Sequence, residues 1–217
     1  MTRISAVDRR AALVRAALRV VARDGVAGAT TRRIVAEAGM SLASFHYAFT
    51  SRDELMAALV EAVVADEERA LAPALEPRND ETAPITMRVA VRAGLQNYFD
   101  AVRADPDHEK AMFELTQWAL REPGFEQLAR RQYERYFQLA ESAVLSVARL
   151  TGCTWTVPTA QVARTLVVFT DGLTMGWLVT RDDRAAAAVM DFAADALAGL
   201  AATHPDLAPS DQTPGDR

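Results

Sequence analysis

The residues of this chain best suited to chemistry are those that bind phosphate. Thr30, Thr31, Arg32 and Arg33 crowd what reads as the first turn of a helix. There, hydroxyls, guanidinium groups and unsatisfied backbone N–H groups together hold an anion. Arg52 stands in the same relation to the start of a later helix. Groups for covalent or metal chemistry are sparse. Cys153 is the single cysteine, which excludes an internal disulfide framework and suits a reducing compartment. His46, His108 and His204 are scattered, without the paired Glu-x-x-His spacing of a di-iron bundle. Lys110 is the only lysine, so there is no Gly-Lys-Ser/Thr phosphate loop, and neither Gly-x-Gly-x-x-Gly nor Gly-x-Ser-x-Gly occurs. The expectation is no catalytic residue, no metal and no cofactor. The alternatives at this point are a helical adaptor that does not bind DNA and a helical-bundle enzyme.

Charge, summed over all 217 residues, argues against a phosphate partner: 24 basic and 29 acidic residues give −5. The sum hides a split. Residues 1–60 carry nine arginines and five acids, a net of +4, which leaves −9 on the remainder. A basic block beside an acidic body suggests a phosphate-facing module attached to a different kind of domain.

The elements that must position these groups read as helices throughout. Val14, Ala17, Leu18 and Val21 recur at helical spacing, and Gly25 is placed to stop that helix. Thr30 caps a short helix from Thr31 to about Ala38, and Ser41 caps another over 42–49. Ser51-Arg52-Asp53-Glu54 is a capping box that opens a long fourth helix to about Leu71. Pro73, Pro77, Asn79, Asp80 and Pro84 mark a linker. Five more helices follow, from Ile85, Asp107, Phe125, Thr159 and Asp182, the last running to Thr203. No stretch alternates long enough for a convincing strand. The fold class is all-α with about nine helices. No run of 18 apolar residues occurs, and Asp171 interrupts the most apolar stretch, so a soluble cytoplasmic protein with no membrane partner is expected.

Ile34 and Ala38 share one helix face, Gly39 permits a sharp turn, and Met40, Phe45 and Ala48 return to the same small core. Two short helices joined in this way make a helix-turn-helix, or an ordinary αα-corner, and the flanking threonines and arginines favour the former. Thr30-Thr31-Arg32-Arg33-Ile34, Ala38-Gly39-Met40-Ser41, Ala43-Ser44-Phe45-His46-Tyr47-Ala48-Phe49 and Ser51-Arg52-Asp53-Glu54-Leu55 together resemble the N-terminal domain of TetR-type transcriptional regulators. The likeness spans about residues 10–60. It departs from the family pattern at Val35, where alanine is usual and a wider helix crossing is expected, and at Leu42 and Ala48.

The resemblance implies a DNA-binding domain over 1–55, a ligand-binding and dimerisation domain over 56–204, and a disordered tail over 205–217. It implies phosphate contacts from Thr30, Thr31, Tyr47 and Arg52. Base or groove contacts are implied for Arg32 or Arg33, Ser41, Leu42, Ala43, Ser44 and His46. A basic N-terminal arm of Arg3, Arg9 and Arg10 would add to them. The implied partners are double-stranded DNA as a near-palindromic operator, a small-molecule effector of unknown identity and a second copy of the chain. Met112, Phe113, Glu114, Gln117, Trp118, Tyr133 and Phe137 mix apolar area with polar handles as ligand pockets do, and Asp171 joins them as a carboxylate on an apolar helix. Gly172, Gly176, Val189, Phe192, Ala193, Ala196 and Leu200 are the expected dimer face, although intramolecular packing uses the same residue types.

Overall fold

The computed structural model describes residues 5–71 and 85–203. The expected linker, Arg3 and the tail lie outside these residues. The described chain forms α1 (Ala6–Gly28), α2 (Thr31–Glu37), α3 (Leu42–Ala48), α4 (Arg52–Leu71), α5 (Met87–Ala104), α6 (Pro106–Ala119), α7 (Glu126–Thr151), β1 (Cys153–Trp155), α8 (Thr159–Thr180), α9 (Asp183–Ala198) and β2 (Ala201–Thr203). The all-α class and the helix-turn-helix order hold. Two compact units result: Met1–Pro73 with Phe99–Tyr136, and Ala74–Tyr98 with Phe137–Arg217.

In the first unit, short polar residues fix where helices begin. Ser5 accepts the Asp8 N–H at 3.0 Å, and Ser51 accepts the Glu54 N–H at 3.0 Å. The apolar stripe of α1, including Leu13, Ala16, Ala17 and Val20, is buried with Ile34, Phe45, Phe49, Leu55 and Leu59. α6 joins this core: Ala111, Met112 and Leu115 form one face and are buried in the same cluster. The first compact unit includes α6 because that helix covers apolar surface of α1. Compactness follows that burial rather than chain order.

The second unit holds α8 and α9 against each other. Arg92 reaches Asp191 at 2.8 Å, tying α5 to α9, and the Tyr98 and Thr174 hydroxyls meet at 2.7 Å. The expected last helix ends early. Gly199 closes it, and β2 pairs antiparallel with β1, Cys153 opposite Thr203 and Trp155 opposite Ala201. Strands of three residues are too short to show alternation in sequence. By length and composition α8 is the one described helix apolar enough to cross a membrane, with a third of its most apolar window buried.

Candidate nucleic-acid interface

Thr30 and Ser41 set the two ends of the motif. The Thr30 hydroxyl accepts the Arg33 N–H at 3.3 Å, and the Ser41 hydroxyl accepts the Ser44 N–H at 3.2 Å while lying 3.1 Å from the Ser44 hydroxyl. Between them the chain reverses at Gly39, whose φ of +64° lies in the region an L side chain resists. The Gly39 and Met40 N–H groups return to the carbonyls of Ala36 and Val35, at 3.1 and 2.8 Å. Ile34, Val35 and Phe45 are buried beneath the turn.

Burying Phe45 decides what α3 presents. Leu42, Ala43, His46 and Tyr47 lie at i, i+1, i+4 and i+5 on the opposite face, all exposed, Tyr47 at 81%. Ser44 is half-buried and held by Ser41. Arg32 and Arg33 project from the first turn of α2 and are exposed, with Thr31 half-buried beside them. The two arginines differ in surroundings. Arg33 lies 3.6 Å from the Asp24 carboxylate, whereas Arg32 has no ion pair among the described residues. The backbone thus brings Thr30, Thr31, Arg32, Ser41, Leu42, Ala43, His46 and Tyr47 onto the helix-turn-helix surface.

Arg52 is the exception. Its Nε donates to the Ala29 carbonyl at 2.9 Å and its Nη2 to the Val26 carbonyl. Those carbonyls end α1, and a guanidinium fork is well shaped to satisfy two at once. The group expected at phosphate instead fastens α4 to the α1–α2 junction. The expected N-terminal arm is also changed. Arg9 and Arg10 lie within α1, and Arg10 donates to the Ala48 carbonyl and the Glu54 carboxylate, each at 2.8 Å, with its guanidinium 4.1 Å over the Phe49 ring. Glu54 also accepts the Thr50 backbone N–H and hydroxyl, both at 2.8 Å. The Thr50 N–H first, then Arg10, hold this carboxyl down to about 2. Glu37 sits between Arg19 at 2.7 Å and Arg23 at 3.2 Å, and their hydrogen bonds hold its carboxyl below the usual range. The capping box in the sequence singles out Glu54, but its partner Arg10 is 44 residues away and carries no local signal.

The other expected sites separate by burial. Met112 is buried in the core shared with α1. Phe113 is half-buried, Gln117 exposed, and Trp118 lies tilted at 52° against Phe125, ring centroids 4.6 Å apart. Tyr133 meets Tyr136 at 5.6 Å. The sequence does not signal a polar chain, buried at Thr116 and Gln132, that links α6 to α7: the Thr116 hydroxyl donates to the Met112 carbonyl and to the Gln132 side-chain oxygen at 3.2 Å, and the Gln132 amide donates to the Tyr136 hydroxyl at 2.9 Å. In the second unit Phe137 lies 4.5 Å beneath the Arg164 guanidinium, and Asp171 is half-buried. Gly172, Gly176, Val189, Phe192 and Ala196 are exposed, Leu200 is half-buried, and Ala193 is buried inside the unit. Ala193 is on the inward face because it shares it with Met190 and Leu197. Val168, Met175 and Val179 are exposed on α8 and align with Gly172 at spacings of four, three and four. That repeat was readable in the sequence.

Two family profiles match the chain. "Bacterial regulatory proteins, tetR family" covers residues 13–59, and "BetI-type transcriptional repressor, C-terminal" covers 87–202. The HTH-type nicotine-responsive transcriptional repressor HdnoR of Paenarthrobacter nicotinovorans is 34% identical over 181 residues, 83% of this chain and 89% of that protein. A TetR-family structure from Streptomyces coelicolor A3 aligns with TM-score 0.63 at 26% identity, covering 86% of this chain and 98% of the other. The multidrug binding protein EbrR, solved with ethidium, aligns with TM-score 0.60 at 26% identity, covering 85% and 98%. The chain therefore belongs to the TetR family and is a ligand-responsive, DNA-binding transcriptional regulator rather than an enzyme.

Proposed function

We propose that the protein is a homodimeric repressor that reads a near-palindromic operator and leaves it on binding a small aromatic effector. The observation that carries the reading is the outward face of α3, where Leu42, Ala43, His46 and Tyr47 stand together, flanked by Thr31 and Arg32. In this reading α3 enters the major groove. Leu42 and Ala43 meet thymine methyls, His46 a base edge, and Tyr47 with Thr30, Thr31 and Ser41 the phosphates, while Arg32 supplies the guanidinium. A twofold dimer sets two such helices about one helical turn of DNA apart, roughly 34–36 Å. A regulator of this kind acts where the chromosome is, in the cytoplasm.

Dimerisation is assigned to the exposed apolar stripe of α8 and α9. Phe192 is 66% exposed and Val179 76%, and a Cβ added at Gly172 or Gly176 would meet nothing within 4 Å. Nothing among the described residues requires those glycines. A second helix approaching closely does, and it would also cover the apolar surface of α8. For the effector, the aromatic and polar groups on α6 and α7, Phe113, Trp118 and Tyr133 with the Gln132–Tyr136 pair, suit a flat ring bearing a hydrogen-bonding nitrogen. The nicotine response of HdnoR and the ethidium in EbrR support that class.

The test is to sequence genomic fragments retained by the purified protein. The reading expects an inverted repeat that is lost with H46A/Y47A and released by a member of an aromatic amine panel. F192D should sediment as a monomer and bind the operator at least tenfold more weakly. Fragments no different from random DNA would overturn the operator, and a dimer of undiminished stability in F192D would overturn the interface.

A further inference from the structure

Inside α1 the helical path breaks at Gly25, which takes φ 74° and ψ 169° before the chain resumes a final turn. The break leaves the Val26 N–H without a partner four residues back, on a residue only 4% exposed. The partner comes from α6. The Glu114 carboxylate accepts this N–H, with Oε1 at 2.6 Å from the nitrogen. The approach depends on the missing side chain at residue 25, since a Cβ there would lie 2.7 Å from Glu114 Oε1 and 3.2 Å from Oε2. The Val26 carbonyl, on the same residue, is the one Arg52 holds from α4. Both polar groups of one residue are thus gripped by charged side chains from different helices. Four residues on, Thr30 begins the turn that carries Thr31 and Arg32.

We propose that Glu114 is a positioning residue for DNA binding: through the Val26 amide it fixes the α1–α2 junction and so sets where the N-terminal turn of α2 meets phosphate. The proposal rests on the operator contacts assigned to α2. It follows from two features that meet at one point, a positive-φ glycine that breaks the helical path and a carboxylate 88 residues away that occupies the space it leaves. A hydrogen bond from a backbone amide to a charged acceptor is among the stronger kinds, and it is made at Val26, which is 4% exposed, by a carboxylate on the exposed residue Glu114.

The experiment uses the full chain and the DNA fragment retained most strongly by the wild-type protein, with affinity measured across salt concentrations. Three variants separate reach from charge. E114Q keeps an oxygen at the same reach, E114D keeps the charge but is too short, and E114A removes both. The expected result is a loss of about tenfold in affinity for E114D and E114A, with E114Q within about threefold of wild type. The salt dependence should be shallower in the two weak binders, because a displaced α2 turn makes fewer phosphate contacts, and the Val26 amide should exchange faster. Measuring well below each variant's melting temperature removes global unfolding from the result. Wild-type affinity and salt slope in folded E114D and E114A would overturn the proposal. So would losses that vanish once the fraction folded is matched. Failure of the wild-type protein to retain any fragment would overturn the operator reading, and this proposal with it.

Discussion

Replacing Arg52 with alanine separates two roles that its type and position suggest equally. In the structure its guanidinium donates to the carbonyls of Val26 and Ala29, residues that are 4% and 0% exposed. Hydrogen bonds from a charged donor contribute about 1.5–3 kcal/mol each, and losing the donor strands the acceptors. The Arg52 side chain is only half-buried and the Val26 carbonyl also accepts the Ala29 N–H, so part of the loss is recovered. A net destabilisation of about 2–3 kcal/mol is expected for Arg52→Ala. That corresponds to a fall of about 1 M in the urea midpoint at unchanged slope. Arg52→Lys should recover less than half, because an ammonium cannot span two carbonyls as a fork does. The assay pairs urea unfolding with DNA affinity measured across salt at a temperature where the variant stays folded. The midpoint is the discriminating readout, because a loosened α1–α2 junction would itself make the salt slope shallower, as for E114A. An unchanged midpoint with a slope shallower by about one ion per head would refute the reasoning and return Arg52 to phosphate.

Two further outcomes follow from local geometry. Glu54 is held down to about 2 in the folded chain against an ordinary 4.5, so protonation favours the unfolded state. Its contribution is complete above pH 4.5 and is lost as pH falls through about 2, and Glu54→Gln should flatten that limb of a stability-against-pH titration. At Gly39 an added Cβ meets nothing within 4 Å, yet φ is +64°, so Gly39→Ala should cost about 1 kcal/mol from backbone strain alone, read as a lowered unfolding midpoint.

How much of this was legible in the sequence depended on how far apart the partners lie. Thr30, Ser41 and the Ser51–Glu54 pair cap within three residues, and Gly39 reverses the chain where it stands, so α2, α3 and the start of α4 fall within a residue or two of expectation. What the sequence left open was long-range. Arg52 finds Ala29 across 23 residues and Glu114 finds Val26 across 88, and no spacing rule reaches that far. Arg52 looked like a phosphate contact because a cation near a helix start binds anions, and Glu114 looked like a pocket group because it stands among aromatic residues; nothing local revealed the carbonyls and the amide already waiting for them. Ala193 went wrong for a simpler reason. Small residues suit an interface and a tight interior equally, and only the placement of Met190 and Leu197 beside it decides which. The stripe of Val168, Met175 and Val179 has helical spacing in the sequence, but an apolar helix face reads the same whether it packs inward or stands exposed.

Charge shows the same dependence on position. The +4 of residues 1–60 survives folding, but its members are not equivalent toward DNA. Arg19 and Arg23 flank Glu37, Arg23 and Arg33 reach Asp24, Arg10 binds Glu54, and Arg52 is held by carbonyls. Screening cuts off surface fields within about 8 Å at physiological salt. A phosphate near the start of α2 therefore feels chiefly Arg32 and the nearby hydroxyl and N–H dipoles, not the sum. The paired arginines act by another route. They fix the ends of α3 and the α1–α2 junction, so that weak dipolar donors are already in place when a phosphate arrives. Orientation settled beforehand costs nothing at binding. On this argument Glu37, Glu54 and Glu114, acids that lower the formal charge of the DNA-binding unit, strengthen its hold on a polyanion. The net charge of a reading head is then a poor guide to its affinity, and the number of its charges already committed to holding backbone is a better one.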